Sequence, residues 1–426
     1  MIVAGTDAAG VLRGKRLTVP YFRKAVEGDL CFSSYILGTT TMDEVLPGLF
    51  DTGIPDVRGR IDLSTFRLAP WEKATAIALL DWVTPEGAPH PLCPRAALKA
   101  QIARAAKMGF KALASLELEF YLLPIEIAKV RQGQWTDLPL PSRDIHCYSI
   151  LEGHFSESVI GRLRDCFPDE IEGCLPEWGQ GQFEVNLYRN DPLKMADTAV
   201  LMKLATKQIA SEAGLTATFI AKLREDLSGN SGHIHLSLVD AQTNASVFYN
   251  SARPLKLSEA FESFVAGNMA IFRESALFYA PNVNSYKRMQ SGSFAGTTCC
   301  WGIDNRTAGF RAINDSPGKA RLEIRIGGAD LNPYMALATG LGGGLRGIRE
   351  RLVAPPPSSG NNYEQKVECV PATLAEAVSA TEGSATIREV LSPALVENAL
   401  RIARFEIGVF NSIVTDLERR RYLETV

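Results

Sequence analysis

Four short segments alternate strictly between apolar and chemically active residues, and nothing else in the chain constrains its fold as much. They are Leu116-Glu117-Leu118-Glu119-Phe120, Gln182-Phe183-Glu184-Val185-Asn186-Leu187, His233-Ile234-His235-Leu236-Ser237-Leu238 and Arg321-Leu322-Glu323-Ile324-Arg325-Ile326. A period of two means a strand with one apolar and one polar face. Any one of them alone reads as an ordinary strand with a solvated side. Together their polar faces carry Glu/Glu, Gln/Glu/Asn, His/His/Ser and Arg/Glu/Arg. Such groups ligate hard divalent cations and clamp anions. Lining one cavity, Glu117, Glu119, Glu184 and Glu323 would repel one another without counter-charge. Divalent metal ions would supply it, and His233 or His235 would add a nitrogen ligand that suits Mn²⁺ alongside Mg²⁺. A fifth carboxylate, Glu177, stands in the glycine-rich turn Glu177-Trp178-Gly179-Gln180-Gly181 that leads into the Glu184 strand.

Arginine is the second signal. Arg288, Arg306, Arg311, Arg321 and Arg325 crowd one stretch of the chain. Each alone reads as a surface residue, but guanidinium forks match carboxylate and phosphate bidentately. Metals beside an arginine cluster suggest phosphoryl transfer, where positioning and charge neutralisation are most of catalysis. No GxxxxGK[ST] phosphate loop, serine-nucleophile elbow or HExxH zinc motif occurs. Gly342-Gly343-Gly344-Leu345-Arg346-Gly347 fits GxGxxG by letter but follows an expected helix rather than a strand, so close helix packing is the better reading.

The balance of charge supports this division. The 426 residues carry a net charge of −3, which argues against a dedicated nucleic-acid binder. Residues 168–184 hold five acids and no Lys or Arg, whereas residues 288–325 hold six basic residues against three acids. With 46% hydrophobic residues the chain can bury a large core. No apolar run is long enough for a membrane span and the start has no signal-peptide pattern, so a soluble cytoplasmic protein is expected. The eight Cys include no CxxC pair and are expected to be free, largely buried thiols. A strand is expected at 74–80, and helices from Pro94 toward Lys107, at 193–213, 256–275, 373–384 and 394–418.

On these motifs the chain resembles the glutamine synthetase family. Leu116–Phe120, Glu177–Glu184, Ser231–Leu238, Asn284–Arg288, Asn305–Arg311 and Ala320–Tyr334 carry the likeness, which covers nearly the whole chain. The resemblance implies an α+β fold. A β-grasp domain over 1–92 would precede a catalytic domain over 93–426 with a curved antiparallel sheet forming a bowl. It also implies a ring homo-oligomer, a hexamer or dodecamer, whose active sites are each completed by a neighbour's small domain. Glu119, Glu177 and Glu184 look like ligands of a first metal, and Glu117, His233 and Glu323 of a second. Two or three Mg²⁺ or Mn²⁺ per site are implied, with ATP as co-substrate. Arg288 is similar to the family's clamp for the α-carboxylate of glutamate, and Arg325 to the arginine facing the γ-carboxylate. Arg306, Arg311 and Arg321 match those around the ATP phosphates, His235 and Ser237 look like ATP-side contacts, and Gly229 matches a backbone contact to glutamate. The implied reaction passes through γ-glutamyl phosphate, which an amine then attacks.

Two departures bear on the amine. Where ammonium-using members place a flap glutamate, this chain has Phe294, and where they place an aspartate from the neighbouring small domain it has Thr40, with Asp43 or Asp51 as possible substitutes. A larger, greasier pocket is expected, resembling the γ-glutamylamide branch, with a small hydrophobic or aromatic amine near Phe294, Trp178 or Trp301. Phe294 could equally be a packing residue on a loop. A true glutamine synthetase with relocated acids, and a non-catalytic structural or regulatory member, are the alternatives; the second should have lost metal ligands, and none is lost. The chain starts close to Asp7–Lys15, so the longer N-terminal lead of many members is expected to be missing.

Overall fold

The computed structural model describes residues 1–48, 51 and 53–426. The first sheet has five strands: β1 (Ile2–Thr6), β2 (Leu12–Arg16), β3 (Leu30–Ser33), β4 (Asp56–Leu68) and β5 (Ala76–Val83). They lie in the order β2-β1-β5-β4-β3, with β1 and β5 parallel and the other neighbours antiparallel. Gly10 takes φ +79° in the expected turn between β1 and β2, a conformation glycine adopts freely.

The second sheet holds the four alternating segments. Its strands are β6 (Phe110–Leu123), β7 (Ile171–Pro176), β8 (Gln182–Leu187), β9 (Thr216–Thr218), β10 (Gly232–Asp240), β11 (Trp301–Ile303), β12 (Phe310–Ile313) and β13 (Arg321–Ile324). The order is β11-β12-β13-β10-β6-β8-β7, with β9 added to one end of β6. Only the β11–β12 pair is parallel; the sheet is otherwise antiparallel and curls into a half-barrel. Leu116, Leu118, Phe120, Val185, Ile234, Leu322 and Ile324 are all at most 1% exposed, so the apolar face of each segment enters the core.

Two helices cover that face. Pro192–Glu212 starts at Asp191, whose side chain accepts from the amides of Leu193 and Lys194. Pro333–Glu350 is glycine-rich because it packs unusually close. A Cβ on Gly340 would stand 2.8 Å from Ile324 Cδ1, and one on Gly347 would run into the carbonyl of Ser263 on the helix Glu259–Met269. The GxGxxG letters are therefore a packing surface inside a helix.

A buried guanidinium ties the first sheet to the helix Pro192–Glu212 that backs the second. Arg95, at the start of the helix Pro94–Lys107, is 2% exposed. It donates to both oxygens of Asp197 at 2.9 Å and to Asp81 on β5 at 2.8 Å, and it pairs with Asp62 on β4 at 2.9 Å. Tyr334 donates to Asp197 at 2.6 Å.

The expected helix over 394–418 is two helices, Pro393–Ser412 and Asp416–Tyr422, because Ile413 is extended and Thr415 with Glu418 forms a capping box. The helix Glu157–Cys166 was not anticipated. All eight cysteines are free, but only Cys93, Cys166 and Cys300 are buried, fewer than expected. Among the described residues no helix is long and apolar enough to cross a membrane.

Arg95→Met would leave Asp62, Asp81 and Asp197 facing one another with only the partly exposed Lys99, 2.5 Å from Asp81 and 3.9 Å from Asp62, as counter-charge. Losing one side of a buried ion network costs roughly 3–5 kcal/mol. The urea unfolding midpoint should fall accordingly; a change under about 1 kcal/mol would mean that the network does not hold the first sheet to that helix.

Candidate active site

Strand register assembles the polar face. Glu119 on β6 stands opposite Glu184 on β8, and Glu117 opposite His233 on β10. On the other side of β10, His235 faces Glu323 on β13, which in turn faces Arg311 on β12. Because side chains alternate, this single register brings four of the five expected carboxylates to one side of the sheet. Glu177 joins them from the turn between β7 and β8, its carboxylate accepting from the amide of Trp178 at 2.9 Å.

Three overlapping groups of ligand atoms result: Glu119, Glu177 and Glu184; Glu117, Glu184 and His233; and Glu117, His235 and Glu323. Oxygens of Glu119, Glu177 and Glu184 lie within 4.8 Å of one another. Glu119 accepts from the amide of Ser231 at 2.6 Å and from Gln182 at 3.2 Å, and Glu184 accepts from Asn186 at 2.9 Å. No Lys or Arg among the described residues pairs with these three within 4 Å. The other two groups share Glu117. It lies 3.3 Å from Nδ1 of His233 and 2.9 Å from Nε2 of His235, and His233 is 3.6 Å from Glu323. Nε2 of both histidines is buried without a hydrogen bond; the His235–Glu117 approach is close but poorly aligned for one. Two orphaned imidazole nitrogens and a carboxylate triad without a basic partner fit divalent cations.

Glu323 is different. It is fully buried, and its oxygens accept from Arg325 and, at 2.6 Å, from Arg311. In this arrangement it serves the arginines as much as the histidines.

The electrostatics follow from burial. Desolvation, with Glu177 adding repulsion, pushes Glu119 up to about 7. Desolvation with the charges of Glu117 and Glu119 pushes Glu184 up to about 9. Burial raises Glu177 as well. Glu117 is buried too, but its histidine neighbours outweigh that and hold it well below the carboxylate range. Burial and the Arg325 charge lower His233 to about 4, keeping it neutral and ready to donate a lone pair.

The arginines divide. Arg321 donates to Nδ1 of His235 at 3.1 Å, and Arg311 bridges Glu323 and Asp304. Both line a cavity of about 610 Å³ that also contains Glu117, His235 and Ser237. Arg306 is exposed and lines a separate shallow cleft with Asp304 and Pro357. Arg325 is 4% exposed and donates to the carbonyl of Phe294 at 3.3 Å. Arg288 is 2% exposed and spends most of its donors on the carbonyls of Asn230, Ala295, Arg325, Ile326 and Gly327. A Cβ on Gly229 would collide with the Arg288 stem, so the glycine is needed for that packing.

At the rim stand exposed aromatic rings. Phe294 is 53% exposed at φ 57° and Trp178 is 62% exposed. Tyr148, not anticipated, is 67% exposed, bonded through its amide to Pro176, and close enough to feel the charges of Glu177 and Glu184. A tyrosine in an unpatterned loop carries no signal by which sequence could have found it. Trp301 leaves the set: it is 2% exposed, packs on Phe261 and donates to Pro355. Thr40 is fully buried and donates to Glu44 at 2.8 Å, while Asp43 pairs with Arg13 at 2.6 Å.

A family model described as the catalytic domain of glutamine synthetase matches residues 91–422. A glutamate–isopropylamine ligase from a Pseudomonas species is 38% identical over 435 residues, covering 100% of this chain and 95% of its own. A γ-glutamylethanolamide synthetase of Streptomyces coelicolor is 34% identical, covering 100% and 92%. Among solved structures, a ligand-free GmaS superposes with a TM-score of 0.87 at 26% identity, covering 99% of this chain and 96% of that one.

Glu119 and Glu184 hold protons in the folded metal-free protein that the unfolded chain releases. Their raised pKa values thus weaken the fold as pH climbs from the ordinary carboxyl range near 4.5 toward about 7 and about 9. A bound cation relieves this and competes with those protons. The rise in Tm on adding Mg²⁺ or Mn²⁺ should therefore be larger at about pH 8.5 than at about pH 6. Equal shifts at both pH values would remove these two carboxylates from the metal site.

Proposed function

The chain belongs to the glutamine synthetase family, and we propose that this ATP-dependent glutamate–amine ligase takes a small hydrophobic or aromatic amine rather than ammonium. The carrying observation is Phe294, an exposed ring at φ 57° whose own carbonyl is held by Arg325 where an acid would be expected. A phenyl ring widens and dries an amine pocket that a carboxylate would narrow and charge. A relative named for isopropylamine supports a small apolar amine, and one named for an ethanolamide product supports an amine other than ammonium.

Glu119, Glu177 and Glu184 would hold a first Mg²⁺ or Mn²⁺, and Glu117 and His233 with Glu323 a second. When bound, two or three such ions offset the negative charge of the ATP phosphates and the substrate carboxylate. Arg288 and Gly229 would position glutamate, with Arg325 facing its γ-carboxylate. Arg306, Arg311 and Arg321, with His235 and Ser237, would receive ATP. A γ-carboxylate oxygen attacks the γ-phosphorus and ADP departs, leaving γ-glutamyl phosphate. The amine nitrogen then attacks the acyl carbon, phosphate leaves and the nitrogen loses a proton. Trp178 and Tyr148 would wall the entry of the amine. The assembly would be a hexameric or dodecameric ring in the cytoplasm, each site completed by the Thr40 segment of a neighbour.

A second reading, a glutamine synthetase using ammonium, has one observation in its favour: Glu44 lies within hydrogen-bond distance of Thr40 and could supply the acid the Thr40 position lacks.

An amine panel with ADP release as the readout separates the two. Isopropylamine, ethanolamine or aniline should exceed ammonium in kcat/KM by about tenfold or more, the discrimination a few methylenes give in an apolar pocket. A higher value for ammonium would sink the proposal. Phe294→Glu should raise ammonium use and lower use of bulky amines; a variant with an unchanged profile would take this loop out of the pocket.

A further inference from the structure

Val283 and Asn284, at the start of the helix Val283–Arg288, help line a further cavity of about 600 Å³. The turn Ala8–Leu12 lines it, with Lys203, Leu204 and Lys207 from the helix Pro192–Glu212, Met335, and Ile402 and Phe410 from Pro393–Ser412. None of the candidate metal ligands contributes. Its volume is that of a small-molecule site, and its walls are mostly apolar.

Its unexplained feature is the lysine pair. Residues 203 and 207 are one turn apart on one helix face, where like charges repel. Among the described residues no carboxylate lies within 4 Å of either ammonium. Lys203 makes one hydrogen bond, to the carbonyl of Ala329 at 2.8 Å, although it has three donors. Burial and the neighbouring Lys207 lower its pKa to about 8. The acids in the lining come from other walls. Glu406 belongs to Pro393–Ser412, and Asp330 accepts through Oδ2 from Asn282 at 2.8 Å and Ser285 at 2.6 Å while its Oδ1 is buried without a hydrogen bond, so its charge partly offsets that of Lys203. Lys203, half-buried with its ammonium 5.3 Å from the Phe219 ring centroid, and Lys207, exposed beside it, hold two positive charges together at the edge of an apolar cavity, where an anion that also fills the cavity would relieve their repulsion.

We propose that this cavity binds a small carboxylate with an apolar body, its head between Lys203 and Lys207 and its chain running toward Met335, Ile402 and Phe410. The site lies apart from this chain's own candidate metal ligands, although Thr41 and Met42 of the Thr40 segment line it, and it does not depend on the identity of the amine.

Hexanoate, hexanol and hexyltrimethylammonium share a chain and differ in the head. Added to the intact protein, hexanoate should raise Tm and give saturable heat in calorimetry, whereas hexanol and the cation should not. Lys207→Met, at the exposed end of the pair, should weaken hexanoate binding by about tenfold, and Lys203→Met by at least as much. Leu204→Trp, which fills the cavity and keeps both charges, should abolish it. ADP binding serves as the folding control for each variant. No shift with hexanoate, an equal shift with hexanol, or unchanged affinity in Lys207→Met would each overturn the proposal.

Discussion

Everything in the larger sheet depends on the tolerance of one repulsion, that between Glu119 and Glu184, which the register of β6 and β8 places directly opposite each other. Like charges in that position destabilise a strand pair. Slipping the register by one residue would relieve it, but would also turn Leu118, Phe120, Phe183 and Val185 out of the core. Those side chains are nearly completely buried, and each is worth roughly 1.5–3 kcal/mol in its place. Burial therefore wins, and the carboxylates are held together by the apolar residues between them. The strain shows in their raised proton affinities rather than in a distorted strand.

The same logic extends across the sheet. On β10, Ile234 and Leu236 anchor the core side while His233 and His235 are presented to Glu117 and Glu323. On β13, Leu322 and Ile324 do the same for Glu323 and its arginines. The glycines of Pro333–Glu350 matter here because they let a helix backbone approach Ile324 and Leu236. A close-packed back keeps the front from rearranging, which is what a site of mutually repelling groups requires.

Much of this was legible in the chain, because period-two alternation reports both the strand and its polar face. The sheet, the carboxylate cluster and the helix reading of the glycine run all follow from local pattern. What pattern could not report was partnership. Nothing near Arg288 announces that its donors turn to five backbone carbonyls. Trp301 resembles a pocket aromatic until tertiary packing buries it against Phe261. Tyr148 reaches the acidic rim only through a loop whose path is set by its bond to Pro176. The break at Ile413 was missed because helical periodicity continues through it, while the capping box that starts the next helix is a local competitor.

The two halves of the polar face differ in what they ask of a cation. Glu119, Glu177 and Glu184 have no basic partner within 4 Å, and burial raises the proton affinity of each. Glu323 pairs with Arg311 and Arg325; against its burial, Arg325 above all and the neighbouring imidazoles hold it near 2. A cation entering the triad displaces protons. One entering beside Glu323 competes with two guanidinium groups, unless those groups turn to another anion. Phosphate oxygens are such an anion, and Arg311 already opens onto the cavity that holds His235 and Ser237. On the proposed reading a cation could enter the triad alone, whereas one at the Glu323 end would enter together with a polyanion.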